Sequence, residues 1–341
     1  MENNPVGLDG MEFIEFSGCD LEFYQKLMSD MGFKRKGKHR TKNVHLYCQG
    51  DINFVVNQEK YSFAEDFQKQ HGPSVCATAF RVFDAKKAHA SAIARGARPY
   101  PAESKYPAIY GIGDSVIYFI EKYGSKGNIY EDDFILEEPF SRKWHGFGLS
   151  FVDHMTNNVP MGDMDKWAGF YTGIFNFREI RYFNIQGKAT GLLSRAMRSP
   201  CNKITIPINE PKDPKSQIQE YLNEYRGPGI QHIAFATDDI CASLRQLLDS
   251  GIKFLEVPDT YYEMLPDRLP NVTEDMSVLK KMKILADGDP EGYLLQIFTQ
   301  NMVGPIFIEI IQRKNHHGFG EGNFQALFDA IEQDQRRRGV L

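Results

Sequence analysis

The chain repeats itself, and that repeat restricts its architecture more than any other feature. Gly72-Pro73-Ser74-Val75-Cys76-Ala77-Thr78-Ala79-Phe80 resembles Gly227-Pro228-Gly229-Ile230-Gln231-His232-Ile233-Ala234-Phe235. At the same offset Asp84 falls on Asp239, Ile93 on Leu248 and Gly96 on Gly251. Each copy reads as a strand, an aspartate near a helix N-cap, an amphipathic helix and a glycine at the helix end. Self-similarity at a fixed offset marks a duplicated structural unit.

Two further segments follow the same order. Residues 11–16 read as a strand, 21–31 as a helix closed by Gly32, and 44–48 and 52–57 as strands. Residues 147–154 read as a strand and 164–175 as a helix; 178–183, 192–199 and 203–208 follow as strands. The fold class is therefore α+β, with four βαβββ modules paired into two tandem domains. Each domain is expected to be an open barrel of mostly antiparallel strands with helices outside. The boundary is placed near residues 137–142, giving domains 1–140 and 141–341. At 341 residues the chain has room for both. A last helix, 323–336, lies outside the modules. It gathers Phe324, Leu327, Phe328 and Ile331 on one face and ends in basic residues, which suits the helix dipole.

Net charge is −5, so no general attraction to nucleic acid or anionic lipid is expected. No apolar stretch approaches the roughly 20 residues of a membrane span. The N-terminus lacks the basic and apolar regions of a signal peptide. Five scattered cysteines with no CxxC pair read as reduced thiols, which points to a cytoplasmic protein.

Three polar residues interrupt otherwise apolar strands. Glu309 sits inside Ile306-Phe307-Ile308-Glu309-Ile310-Ile311, His232 inside Ile230-Gln231-His232-Ile233-Ala234-Phe235, and His154 follows Leu149-Ser150-Phe151-Val152-Asp153. They fall at nearly equal intervals. An ionised carboxylate in a strand buried on both faces is unfavourable unless something pairs with it. A lone histidine on an apolar strand is more often a hydrogen-bonded core residue. Two histidines and a carboxylate on equivalent strands instead fit a mononuclear non-haem Fe(II) site, with open positions for substrate and O2. In the first domain Ala77 stands at the position of His232, so one Fe(II) per chain is expected. The pair His316-His317 points to opposite faces of a strand and precedes a glycine-rich loop, which argues against its being a ligand pair. Alternation puts Gln296 and Phe298 on one face, and Phe307 on the face of Glu309. Two rings and an amide facing a metal would suit a flat aromatic substrate.

These residues lie in longer stretches that carry a resemblance. They are Val152-Asp153-His154; Pro207-Ile208-Asn209-Glu210-Pro211 with Lys215-Ser216-Gln217-Ile218-Gln219-Glu220; Gly229-Ile230-Gln231-His232-Ile233-Ala234; Gly292-Tyr293-Leu294-Leu295-Gln296-Ile297-Phe298-Thr299; and Phe307-Ile308-Glu309-Ile310-Ile311-Gln312-Arg313 with Gly318-Phe319-Gly320-Glu321-Gly322-Asn323-Phe324. The chain resembles the 4-hydroxyphenylpyruvate dioxygenase family of the vicinal oxygen chelate superfamily. The specific motifs cover about residues 144 to 338; the first half matches mainly in module pattern.

The resemblance implies Fe(II) on His154, His232 and Glu309, with 4-hydroxyphenylpyruvate bound through its carboxylate and 2-keto oxygens. It implies oxidative decarboxylation, ring hydroxylation and side-chain migration to give homogentisate and CO2, in tyrosine breakdown. It maps Ser194, Asn209, Gln217 and Gln296 onto polar pocket positions, and Phe298, Phe307, Phe319, Asn323 and Phe324 onto the substrate walls. Gln231 belongs to a motif but should point away from the metal, as the neighbour of a ligand on a strand. The family's first domain would be structural, and homo-oligomers, dimers or tetramers, are expected. The final helix could gate the site. Two relatives share this frame. A 4-hydroxymandelate synthase attacks the benzylic carbon of the same substrate and carries a smaller aliphatic residue where this chain has Phe298. An extradiol-type dioxygenase would need, beyond the metal ligands, a further His and a Tyr near the metal as acid and base, where this chain has amides and a serine.

Overall fold

The structure, a computed structural model, describes residues 3–18, 20–101, 104–186, 191–323 and 326. Strands β1 (Leu8–Ser17), β2 (Lys34–His39), β3 (Val44–Gln49), β4 (Ile52–Asn57), β5 (Ser74–Val82), β6 (Ala108–Tyr110), β7 (Val116–Ile120) and β8 (Phe134–Leu136) form one sheet, in the order β6-β7-β5-β1-β4-β3-β2-β8. Strands β9 (Leu149–Asn158), β10 (Arg178–Gln186), β11 (Gly191–Arg198), β12 (Thr205–Pro211), β13 (Gly229–Thr237), β14 (Leu285–Asp289), β15 (Gly292–Phe298) and β16 (Phe307–Lys314) form the other, in the order β10-β11-β12-β9-β13-β16-β15-β14.

The two sheets share one frame. At the centre β1 runs antiparallel to β5, and β9 to β13. Each central strand has a parallel neighbour outside it: β4 on β1 and β7 on β5, β12 on β9 and β16 on β13. The remaining pairs are antiparallel. The repeat read from the sequence is thus the correspondence of β5 in the first sheet with β13 in the second, and of the helices that follow them. Asp84 and Asp239 cap those helices by accepting from the backbone of Lys87 and Ala242. Gly96 and Gly251 follow at φ 98° and 94°, a conformation that glycine adopts without strain.

Three modules follow the βαβββ order; the second does not. After the helix Ala85–Ala94 only β6 and β7 join β5, and Pro99 makes a single bridge to Ile109. Pro99 and Pro101 have no N–H to give a ladder, so the segment cannot extend as a strand. A further strand beyond the module, β8, crosses to the far edge and pairs with β2. The two halves pack on one another through a shared core, in which the rings of Phe33 and Phe54 meet Phe235. The final helix expected over 323–336 falls almost wholly outside the described residues.

Candidate metal centre

Strand register brings the three interrupting residues together. Ala234 of β13 lies opposite His154 of β9 on one side and opposite Glu309 of β16 on the other. His232, two residues earlier on the same face, lies opposite Thr156 and Phe307. The candidate donor atoms of His154, His232 and Glu309 all lie within 4.8 Å of one another. Glu309 Oε2 is 3.2 Å from His154 Nε2 and 3.4 Å from His232 Nε2.

The electrostatics describe a site that wants a cation. Glu309 is 1% exposed. Burial opposes its charge, but His154 and His232 outweigh it and hold the carboxyl at about 2. Burial likewise opposes charge on His154, and Glu309 and Asp153 override it, raising that imidazole to about 9. Burial lowers His232. Without a metal, a proton on His154 balances Glu309, and a divalent cation would take that proton's place. Glu309 Oε1 is buried with no hydrogen-bond partner among the described residues. Two imidazole nitrogens, a carboxylate and an orphaned acceptor fit a bound metal ion.

Neighbouring residues fix the donors, and the sequence did not disclose them. A β-bulge in β9 inserts Asp153 between the pairs made by Val152 and His154. Asp153 Oδ1 accepts from His154 Nδ1 at 2.8 Å and from Arg313 Nη2 at 2.7 Å, and Oδ2 accepts from Arg313 Nε at 2.7 Å. Burial raises the Asp153 carboxyl, but Arg313 and His154 outweigh it and hold it far below the usual range. An Nδ1–H given to Asp153 leaves Nε2 as the ligand atom. Asp153→Asn is expected to weaken metal binding about 10–100-fold, the usual effect of losing such a partner. Competition with a chelator measures it, and an unchanged affinity would show that Asp153 does not position His154.

His232 has a similar support. A bulge at Gln231 interrupts the alternation of β13, and Gln231 Oε1 lies 3.1 Å from His232 Nδ1. The strand alternation that sends Gln231 away from the metal is therefore broken at that residue. Thr156 Oγ1 lies 3.0 Å from His232 Nε2.

The same face carries the remaining candidates. Phe307 stacks on His232 with ring centroids 4.8 Å apart, and Phe298 meets Phe307 edge-on at 6.0 Å. Phe298 lies opposite Glu309 and Gln296 opposite Ile311, so both face inward. Ser194 pairs with Asn209, which pairs with Asn158, on the face of His154. Among the described residues Asn158 finds no partner for either amide atom and Gln296 none for Oε1. Buried amides without partners, gathered on one face, leave room for a polar ligand.

The glycine-rich loop covers the centre. Phe319 sets its ring edge-on to His154 at 5.3 Å. Arg313 Nη1 donates to the carbonyls of His316 and Gly318, tying the loop to the Asp153 pair. Gly320 has φ 76°, and a Cβ there would lie 2.1 Å from the Gln296 amide. Gly320→Ala is expected to cost about 1–3 kcal/mol in stability from backbone strain alone and to lower turnover by displacing Gln296. Denaturant titration beside steady-state kinetics checks it; a variant with wild-type stability and turnover would contradict the packing.

Other candidates stand elsewhere. Gln217 begins the helix Gln217–Tyr225 with its side chain exposed. Asn323 gives its oxygen to Tyr261 and Arg268, which leaves only Nδ2 unpaired. Phe324 lies outside the described residues. His316 accepts from the Gly318 N–H and His317 is exposed; neither joins the cluster.

The first sheet has the same rows without the donors. Phe13, Ala79 and Tyr118 pair as His154, Ala234 and Glu309 do, and Glu15, Ala77 and Val116 as Thr156, His232 and Phe307 do. Phenylalanine, alanine and tyrosine replace the three candidate ligands, which accords with a single centre per chain.

Comparison with known proteins agrees with this picture. Residues 2–135 match the family described as hydroxyphenylpyruvate dioxygenase, HPPD, N-terminal. Residues 151–297 match the glyoxalase/bleomycin resistance protein/dioxygenase superfamily. The chain is 49% identical to 4-hydroxyphenylpyruvate dioxygenase of Pseudomonas aeruginosa, over 100% of this chain and 98% of that protein. The chain belongs to the 4-hydroxyphenylpyruvate dioxygenase family. It is also 53% identical to Hemolysin VllY of Vibrio vulnificus, over 99% of this chain and 98% of the relative. A solved triple mutant of 4-hydroxymandelate synthase from Streptomyces coelicolor superposes with a TM-score of 0.82 at 26% identity, covering 96% of this chain and 99% of that one. As a member of the dioxygenase family the protein is a metal-dependent oxidoreductase acting on small molecules. Its fold is two tandem glyoxalase-type domains. Among the described residues no helix is long and apolar enough to cross a membrane.

Proposed function

We propose that the protein converts 4-hydroxyphenylpyruvate and O2 to homogentisate and CO2, as a step of tyrosine breakdown, at one Fe(II) per chain. Glu309 carries this reading: a buried carboxylate with one orphaned oxygen, two imidazoles on the other, and aromatic walls around it. His154, His232 and Glu309 would hold the metal. Fe(II) there would chelate the 2-keto acid and activate O2.

The protein's own residues then govern what reacts. The Asp153 and Gln231 partners take the Nδ1 side of each imidazole and so turn Nε2 towards the metal. Phe298, Phe307 and Phe319 flank the substrate ring and exclude water. Gln296, Asn209, Ser194 and Asn158 offer the polar contacts that orient it; Gln217, exposed at the start of its helix, is assigned a substrate contact by its motif alone. Atoms balance: one oxygen enters the carboxylate formed as CO2 departs, and the other becomes the ring hydroxyl while the side chain moves to the adjacent carbon.

Formation of 4-hydroxymandelate from the same substrate is the second reading. Phe298 opposes it, because a phenylalanine opposite Glu309 confines the ring near the metal. Residues 141–341 are assigned the chemistry. Residues 1–140 are assigned a structural and subunit-contact role in a cytoplasmic homo-oligomer.

Metal analysis of protein reconstituted under anaerobic conditions, paired with an oxygen electrode, tests the assignment. The expected result is one Fe(II) per chain and O2 uptake only after 4-hydroxyphenylpyruvate is added. Substrate-dependent uptake by chelator-stripped protein would overturn it.

A further inference from the structure

The first sheet encloses a cavity of about 460 Å³ where the second holds the metal centre. Phe13 and Tyr118, the counterparts of His154 and Glu309, line it. We propose that this cavity is a second binding site, selective for a small aromatic amine whose ammonium pairs with Glu15.

Three observations carry the proposal. First, the size suits a ligand of that class, since small-molecule pockets run from about 300 to 1,000 Å³. Second, the wall is aromatic. Phe13 meets Tyr118 at 5.9 Å, Tyr100 meets Phe63 edge-on at 5.5 Å, and Tyr100 meets Tyr118 at 6.4 Å. Ring faces around a void attract both flat rings and cations.

Third, one acid opens into that wall with no cation in ion-pair contact among the described residues. Glu15 is 7% exposed and lines the cavity; its Oε1 accepts from Asn57 at 2.6 Å. Among the described residues no Lys or Arg nitrogen lies within ion-pair distance of it. Asp133, the other acid of the lining, is already engaged by Lys105 and by the Tyr106 hydroxyl. Burial raises the Glu15 carboxyl, against the Asn57 hydrogen bond, the charge of Lys42 and the Cys76 thiol. Glutamine would fill the same space without that penalty, so the carboxylate costs stability unless a cation reaches it. Lys42 and His39, also of the lining, would meet any acidic tail of the ligand.

This site needs neither the metal nor the assigned reaction. The test is calorimetric titration of the iron-loaded protein with phenethylamine, with phenylacetate as the anionic control. The expected result is one phenethylamine per chain, bound at least about tenfold more tightly than phenylacetate. Glu15→Gln should weaken the amine by about tenfold or more, while Glu15→Asp retains part of the binding. Melting temperature and turnover of Glu15→Gln should match or exceed the wild type, which separates loss of the site from loss of the fold. Phenethylamine binding that is absent, insensitive to Glu15→Gln, or displaced by 4-hydroxyphenylpyruvate would overturn the proposal.

Discussion

Glu309→Ala is expected to abolish stoichiometric iron and to lower turnover by more than about 100-fold, beyond what losing a supporting partner costs. The carboxylate is the one anionic donor of the cluster and touches both imidazoles. Its removal leaves two neutral donors, too few to hold one face of an Fe(II) ion. Glu309→Gln separates charge from shape: it keeps the packing and removes the anion, so it should lose iron as the alanine variant does. Metal analysis after dialysis, with circular dichroism to confirm the fold, provides the measurement. Retention of one iron per chain in either variant would mean that the metal sits elsewhere.

Phe298→Ile is expected to redirect the reaction instead of stopping it. Phe298 faces the centre from β15, opposite Glu309, and packs edge-on against Phe307. Shortening it opens the wall beside the ring, and the substrate can present its benzylic carbon. Substrate consumption should fall by no more than about 10- to 200-fold, since a methylene-sized change in an apolar wall is worth about 1–3 kcal/mol. A substantial share of the product should become 4-hydroxymandelate. Chromatographic separation of products measures the partition; unaltered homogentisate as sole product would show that Phe298 does not steer the outcome.

The cluster was legible because its members break a pattern. Singly, such a histidine has a bland explanation as a hydrogen-bonded core residue; it was the three together, at near-equal intervals, that pointed to a metal, although the structure puts Glu309 on β16, beside the equivalent strands β9 and β13 and not on a third copy of them. Phe307 and Gln296 followed from alternation. The supports were hidden because they depend on register and on breaks in it. Asp153 and Gln231 both sit at bulges, where alternation fails as a guide to direction. Arg313 reaches Asp153 across 160 residues of sequence. Asn158 becomes visible only once β12 is laid beside β9. The second module departs from the repeat at Pro99 and Pro101, residues whose consequence for strand pairing could have been drawn from the sequence. The cavity beside Glu15 was hidden for a related reason: Ala77 marked a lost ligand, but only the fold shows that the lost site remains hollow.

Product analysis after aerobic turnover of 4-hydroxyphenylpyruvate by the iron-loaded protein tests the central claim most directly. The account predicts homogentisate, with one O2 consumed and one CO2 released for each molecule formed. Hydroxymandelate as the main product, or no turnover despite a full complement of iron, would contradict it.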